Sequence, residues 1–153
     1  MSPNEDEVIV RFYEGFAARD ADAMSACYHP DVHFHDPVFQ DLNGPDVMKM
    51  WRVLLGRSDD LAITLGDHGA GGGTGHAHWS AVYTFSQTGR VVHNEIDAAF
   101  RFRDGLIVDH RDSFDLWRWS RMALGAPGTL LGWSPLVKNR IRRQSAALLA
   151  GAG

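Results

Sequence analysis

His110 and Asp112 are two ionisable side chains set two residues apart in an otherwise apolar alternation. In Leu106–Leu116 the even positions read Leu, Val, His, Asp, Phe, Leu, and the odd positions Ile, Asp, Arg, Ser, Asp. Successive side chains of a strand point to opposite faces, which predicts that His110 and Asp112 share the side of Val108 and Phe114. An ionisable group among hydrocarbon is costly unless paired or hydrated. The placement therefore points to a wet pocket, a hydrogen-bonded core pair, or both. An imidazole beside a carboxylate is also the pairing that general acid–base chemistry uses.

Asp36, followed by Pro37, is a third candidate group. It reads either as a pocket carboxylate at the end of a strand or as the cap of a turn. Two His-x-His pairs, His33/His35 and His76/His78, have a spacing that can chelate zinc or copper. Both point away from the apolar face and no acidic third ligand is placed for them, so no metal site is expected. The Gly69–Gly75 run reads as a flexible loop; it lacks the Lys-Ser/Thr ending and the following helix of a phosphate cradle.

These groups need a frame, and punctuation supplies one. Ser2-Pro3-Asn4-Glu5 has the form of a capping box, and Val8, Ile9, Phe12 and Phe16 follow at helical spacing. Asp20 can cap a second short helix bearing Met24, Cys27 and Tyr28, stopped at His29-Pro30-Asp31. A short strand over Val32–Asp36 comes next. Asn43-Gly44-Pro45 opens a third helix with Val47, Met50, Trp51 and Leu54, closed by Gly56. Alternating strands follow: Leu61, Ile63, Leu65; then Ala77 to Phe85; then Val92 to Phe102; then the His110 strand. The tail reads as a C-terminal helical extension over about 121–150, with an irregular Gly125–Pro135 stretch and a basic helix around Lys138–Leu149.

Turn chemistry sets how the faces meet. A two-residue Thr88-Gly89 loop pairs Phe85 with Val92, Tyr83 with Asn94 and Trp79 with Ala98. A three-residue Arg103-Asp104-Gly105 loop pairs Phe102 with Leu106, Ala98 with His110 and Ile96 with Asp112. The three-residue form is preferred over a two-residue Asp104-Gly105 loop because it keeps the apolar faces together. The resulting floor is Trp79, Ala81, Tyr83, Ile96, Ala98, Phe100 and Val108, interrupted by Asn94, His110 and Asp112. His93, Glu95, Asp97, Arg101 and Arg103 take the opposite face, which suits solvent or a subunit interface.

Composition bounds the answer. The 153 residues fit one domain, 44% hydrophobic and 22% charged, ordinary for a globular chain. A net charge of −4 argues against a general nucleic-acid binder. A single cysteine excludes an internal disulfide framework, and the N-terminal Met-Ser-Pro-Asn-Glu-Asp-Glu has no leader pattern. No apolar run is long enough for a membrane span. A cytoplasmic location is expected.

Phe12, Ala17 and Asp20, Tyr28-His29-Pro30-Asp31, Asp36-Pro37-Val38 and Phe100-Arg101-Phe102 before a glycine turn resemble the nuclear-transport-factor-2-like superfamily. The likeness is to its ketosteroid-isomerase and polyketide-cyclase (SnoaL-like) branches and runs over roughly residues 5–120. It implies an α+β fold: a cone-shaped, curved antiparallel sheet, cystatin-like, with N-terminal helices packed over its concave face. It also implies an aspartate general base, which Asp36-Pro37 matches. The isomerase's electrophilic donors are not matched: Phe12 stands where its tyrosine would, with Tyr13 one position off and about 100° round the helix. Ala98 stands where its neutral acid would. His110, expected opposite Ala98, is the replacement, with Tyr83 or Asn94 as further donors.

The expectation is a single NTF2-like domain holding a hydrophobic small molecule, without cofactor, metal, nucleic acid or membrane, and a homodimer through the outer sheet face. Asp36, His110 and Asp112 carry acid–base chemistry of an isomerase, cyclase or dehydratase on a carbonyl-bearing or polycyclic substrate, with an epoxide hydrolase-like activity as the alternative the resemblance also implies. Phe12, Phe16, Tyr28, Trp51, Trp79, Tyr83, Asn94 and Ala98 line the pocket. The rival class, a non-catalytic binder or scaffold, uses the same interior.

Overall fold

The computed structural model describes residues 4–125. Three helices lead: α1 (Glu5–Ala17), α2 (Ala21–Ser25) and, after β1 (Tyr28–His35) and β2 (Leu42–Asn43), α3 (Pro45–Arg57). Four long strands follow, β3 (Ala62–Gly71), β4 (Thr74–Phe85), β5 (Arg90–Arg103) and β6 (Leu106–Ser113), and then α4 (Leu116–Leu124). The six strands form one sheet in the order β2-β1-β6-β5-β4-β3. This is the expected α+β plan of a curved sheet under N-terminal helices. One pairing departs from it: β1 runs parallel to β6, while every other pair is antiparallel.

Caps explain where the helices start. Asn4 accepts the amide of Asp6 at the head of α1, and Asp20 accepts that of Ala23 at the head of α2. Asn4, not Ser2, is thus the α1 cap; Ser2 and Pro3 lie outside the described residues. Pro45 sits in the first turn of α3, where its missing N–H costs nothing. The helix runs through Gly56 to Arg57, because an ordinary helical glycine does not stop it. α2 ends at Ser25, before His29-Pro30, and the chain is already extended from Tyr28.

The strand registers differ from the expected ones in instructive ways. Phe85 pairs with Arg90, Tyr83 with Val92, Ala81 with Asn94 and Trp79 with Ile96, across a four-residue loop. Gly89, at φ 71°, turns its amide back to the Phe85 carbonyl, which closes this wider loop. The shift is two residues, so each side chain keeps its face. At the next turn the chain uses the two-residue Asp104-Gly105 loop, with both residues at positive φ, 55° and 76°. A bulge then restores the faces: Phe102 pairs with Ile107 but Arg101 with Asp109, leaving Val108 as the extra residue. Ile107, not Val108, therefore enters the core, and Phe100 rather than Ala98 stands opposite His110. Ala98 stands opposite Asp112.

The glycine run is not a loop. β3 and β4 extend through it and turn on Gly72-Gly73, both at positive φ. The expected helical extension is seen only as α4; the Gly125–Pro135 stretch beyond Gly125 and the basic helix lie outside the described residues. No helix among the described residues is long and apolar enough to cross a membrane.

Candidate active site

The interior is built from aromatic rings contributed by all the layers. α1 is buried over a wide arc, Val8, Ile9, Phe12, Tyr13 and Phe16, because it lies against α2 as well as the sheet. Phe12 and Phe16 meet Trp51 of α3, and Phe12, Trp51, Phe34 and Phe100 enclose the imidazole of His110. The His110 ring lies 4.6 Å from Phe100, 5.0 Å from Phe34 and 5.6 Å from Phe12, centroid to centroid. It has no solvent exposure.

A buried imidazole needs partners for both nitrogens, and His110 has them. Nε2 lies 2.9 Å from Asp112 Oδ1, and Nδ1 lies 2.8 Å from the Tyr28 hydroxyl. Trp51 Nε1 donates to that same hydroxyl at 2.9 Å, and Trp79 Nε1 donates to Asp112 Oδ1 at 3.4 Å. Donor inventory fixes the direction of the chain. An indole N–H can only donate, so Tyr28 receives the Trp51 hydrogen and passes its own to His110 Nδ1. The ring proton then sits on Nε2 and points at Asp112, which as a carboxylate can only accept. The sequence Trp51 → Tyr28 → His110 → Asp112 is fully satisfied and directional.

What remains unsatisfied is as informative. Among the described residues, every hydrogen bond to Asp112 falls on Oδ1. The Tyr13 hydroxyl is buried and has no hydrogen-bond partner. Burial, then the charge of Asp112, then Tyr28 hold the Tyr13 phenol well above its ordinary pKa, so it stays a hydrogen-bond donor. Tyr13 also faces Trp79 at 5.6 Å between centroids. Tyr13, Trp79 and Asp112 are thus contiguous. Tyr13 lies one position from Phe12, yet Ile9, Tyr13 and Phe16 stand at i, i+4 and i+7, the spacing that places Tyr13 on a buried face.

The other expected residues separate by depth. Ala98 lies beside Asp112 in the floor, with Trp79 two residues along on the neighbouring strand. Asp36 stands one residue past β1, whose parallel register sets Phe34 beside His110. Its Oδ1 accepts the amides of Val38 and Phe39, at 2.7 and 2.5 Å, so it caps the turn it begins. Tyr83 is further out; its hydroxyl accepts from Trp119 of α4 at 2.7 Å. Asn94 is on the inner row of β5, opposite Ala81.

One histidine of each pair is held by acids. His33 bridges Asp41 and Asp109, and His78 bridges Asp97 and Glu95. The bonds to Asp97 and Glu95 raise the His78 pKa. No group of three or more metal-binding side chains is assembled among the described residues.

The family of SnoaL-like domains matches residues 9–110, two-thirds of the chain. The chain belongs to the SnoaL-like family. Among solved structures this SnoaL-like chain is similar to IdmH of Streptomyces antibioticus, a candidate polyketide cyclase, at 21% identity and TM-score 0.65, covering 75% of this chain and 94% of that one. It is similar to a LEH-like epoxide hydrolase of M. tuberculosis at 20% identity and TM-score 0.67, covering 89% and 96%. A SnoaL-like candidate polyketide cyclase from Jannaschia sp. CCS1 gives 15% identity and TM-score 0.70, over 80% and 92%. No curated protein matches in sequence. At these identities the likeness establishes the fold; the chemistry has to be argued from the side chains.

Proposed function

We propose that this SnoaL-like protein is a cofactor-independent acid–base enzyme that enolises a hydrophobic, carbonyl-bearing small molecule, as an isomerase, cyclase or dehydratase. The observation that carries the reading is the pairing of an oriented carboxylate, Asp112, with an unpartnered buried donor, Tyr13. Asp112 Oδ2 takes a proton from the carbon beside the carbonyl. The C–H electron pair moves into the enolate, and the charge developing on oxygen meets the Tyr13 hydroxyl. The enolate then takes that proton back from Asp112 at another carbon, or attacks a second carbonyl in the same molecule, whose alkoxide takes the proton, or expels a β-hydroxyl, which leaves as water with the proton from Asp112. His110 and Trp79 fix Asp112 through Oδ1 and leave Oδ2 for substrate. Phe12, Phe16, Trp51 and Ala98 give the site its apolar walls. Asp36, whose Oδ1 is committed to a turn, is assigned to holding the loop after β1.

A second reading, a binding protein without turnover, draws support from the complete burial of His110. The two separate in heavy water. The enzyme incorporates solvent deuterium beside the carbonyl of a polycyclic ketone, followed by NMR, and Asp112→Asn slows this by about 10²-fold or more. Binding without incorporation across a panel of such ketones would assign the protein to the binder class. The work is proposed to take place in the cytoplasm, which suits the single reduced Cys27, and in a homodimer formed through the outer sheet face.

A further inference from the structure

Tyr13, His110 and Asp112 are all buried, so a ligand that reaches them must first displace part of the protein. The longest connection among the described elements, Asp36–Asp41 between β1 and β2, packs on that interior. Its Phe39 is buried in the main core, and its Val38 lies against both the main core and the small cluster under α4. The loop joins the sheet edge through β2, which is only two residues long and pairs Asn43 with His33 and Leu42 with Phe34. So short a ladder holds the loop weakly, and a side-chain tie at its end carries weight.

That tie is ionic. Asp41 has φ 64°, a left-handed conformation that a residue with a Cβ rarely adopts. Its Oδ1 lies 2.7 Å from His33 Nε2, and His33 Nδ1 lies 3.1 Å from Asp109 Oδ1. A carboxylate only accepts, so both contacts are hydrogen bonds only while both ring nitrogens carry protons. A neutral ring keeps one N–H and turns a lone pair toward the other acid. The Asp109 side chain is 18% exposed and that of Asp41 82%. The remaining hydrogen therefore serves Asp109, which has less water, and Asp41 is released.

The charged groups around His33 do not replace the lost bond. On β6, Arg111 is engaged with Asp109 at 3.2 Å, and on β5 Arg101 stands opposite Asp109. On β1, His35 and Asp31 lie two residues to either side, Asp31 leaning toward Arg103 at 3.9 Å, and β2 presents the uncharged Asn43. Burial alone would lower the His33 pKa, but the bonds to Asp41 and Asp109 raise it on balance. The tie is therefore whole below the ordinary histidine value, about 6.5, and is lost as pH rises through the raised one.

We propose that His33 is a proton-operated latch: its imidazolium ties Asp41 and holds the Asp36–Asp41 loop closed over the interior, and loss of the proton lets the loop open. What the opening admits rests on the reading of Tyr13 and Asp112 as a ligand site; the opening itself has a readout that needs no ligand.

Amide hydrogen exchange of the full chain, divided by the intrinsic rate at each pH, is followed from about pH 5.5 to 8.5. Wild-type protection at Phe39 and Leu42 should fall about threefold to tenfold across the His33 titration, the size of a charge-assisted bond with one partner in solvent. Ile96, in the middle of β5, should show no such step. In Asp41→Asn the two loop amides should exchange quickly at every pH, without a step, while thermal unfolding at pH 8.5 matches wild type and shows the variant to be folded. The association rate of acetophenone, followed by stopped-flow tryptophan fluorescence, should rise with pH by the same factor in wild type and stay high in Asp41→Asn. Flat protection in wild type, or a step that survives in Asp41→Asn, overturns the latch. Acetophenone binding at a pH-independent rate in that case leaves the reading of Tyr13 and Asp112 standing. The expected step with no acetophenone binding at any pH supports the latch and counts against that reading.

Discussion

Two tyrosines in the same interior are predicted to behave oppositely, because one hydroxyl is fully employed and the other idle. Tyr28 receives Trp51 and donates to His110, so Tyr28→Phe orphans a buried indole N–H and a buried imidazole nitrogen. Each orphan costs roughly 1–3 kcal/mol, and urea unfolding should show a loss of about 2–4 kcal/mol. Tyr13→Phe removes a hydroxyl that has no partner. Its stability should stay within about 0.5 kcal/mol of wild type or rise, while ligand affinity falls. Equal losses in the two variants would contradict the hydrogen-bond assignment. Asp112 and His110 were legible in the sequence because ionisable residues interrupted an apolar alternation. Tyr13 was not read, because a single-stripe view of α1 leaves no room for a helix buried on two sides.

At the scale of elements, the sequence announced which residues share a face better than which residues stand opposite. The β4–β5 pairing lies two residues from the expected register, and parity survives such a shift. The β5–β6 pairing uses a tight turn that would invert the faces, and the bulge at Val108 reverses the inversion. A bulge leaves no local signature in an alternating strand, so turn chemistry and face pattern seemed to conflict when each was correct. The turn itself is testable. Gly105 has φ 76°, a region where a Cβ is strained, so Gly105→Ala should lower stability by about 1 kcal/mol. Asp104, at φ 55°, carries the same strain already, and Asp104→Gly should be neutral or stabilising. Urea midpoints of the two variants moving in the same direction would show that the turn is not of this type.

At the scale of the molecule, the superfamily plan was legible because helix caps, turn glycines and strand parity are each local, and all agree with one architecture. What the pattern did not carry was depth: Asp112 and Tyr83 look equivalent on the inner rows, but Asp112 is buried and Tyr83 only partly so. The interior leaves a mark on pH stability. All three tyrosines of the chain, Tyr13, Tyr28 and Tyr83, have their pKa raised, in each case chiefly by burial. An acid whose folded pKa lies above its unfolded value adds stability that is complete below the unfolded pKa, about 10 for tyrosine, and is lost as pH rises beyond it. Tyrosinate absorbance should therefore appear only together with alkaline unfolding; reversible ionisation of one tyrosine in the folded chain near pH 10 would contradict the burial. The central claim, that Asp112 is the proton acceptor while Asp36 holds a turn, is tested most directly by solvent deuterium incorporation into one ketone by wild type, Asp36→Asn and Asp112→Asn at a single pH. The account predicts that Asp112→Asn loses about 10²-fold or more in rate and Asp36→Asn less than about tenfold once its folded fraction is matched. A rate that survives in Asp112→Asn and collapses in Asp36→Asn would contradict it.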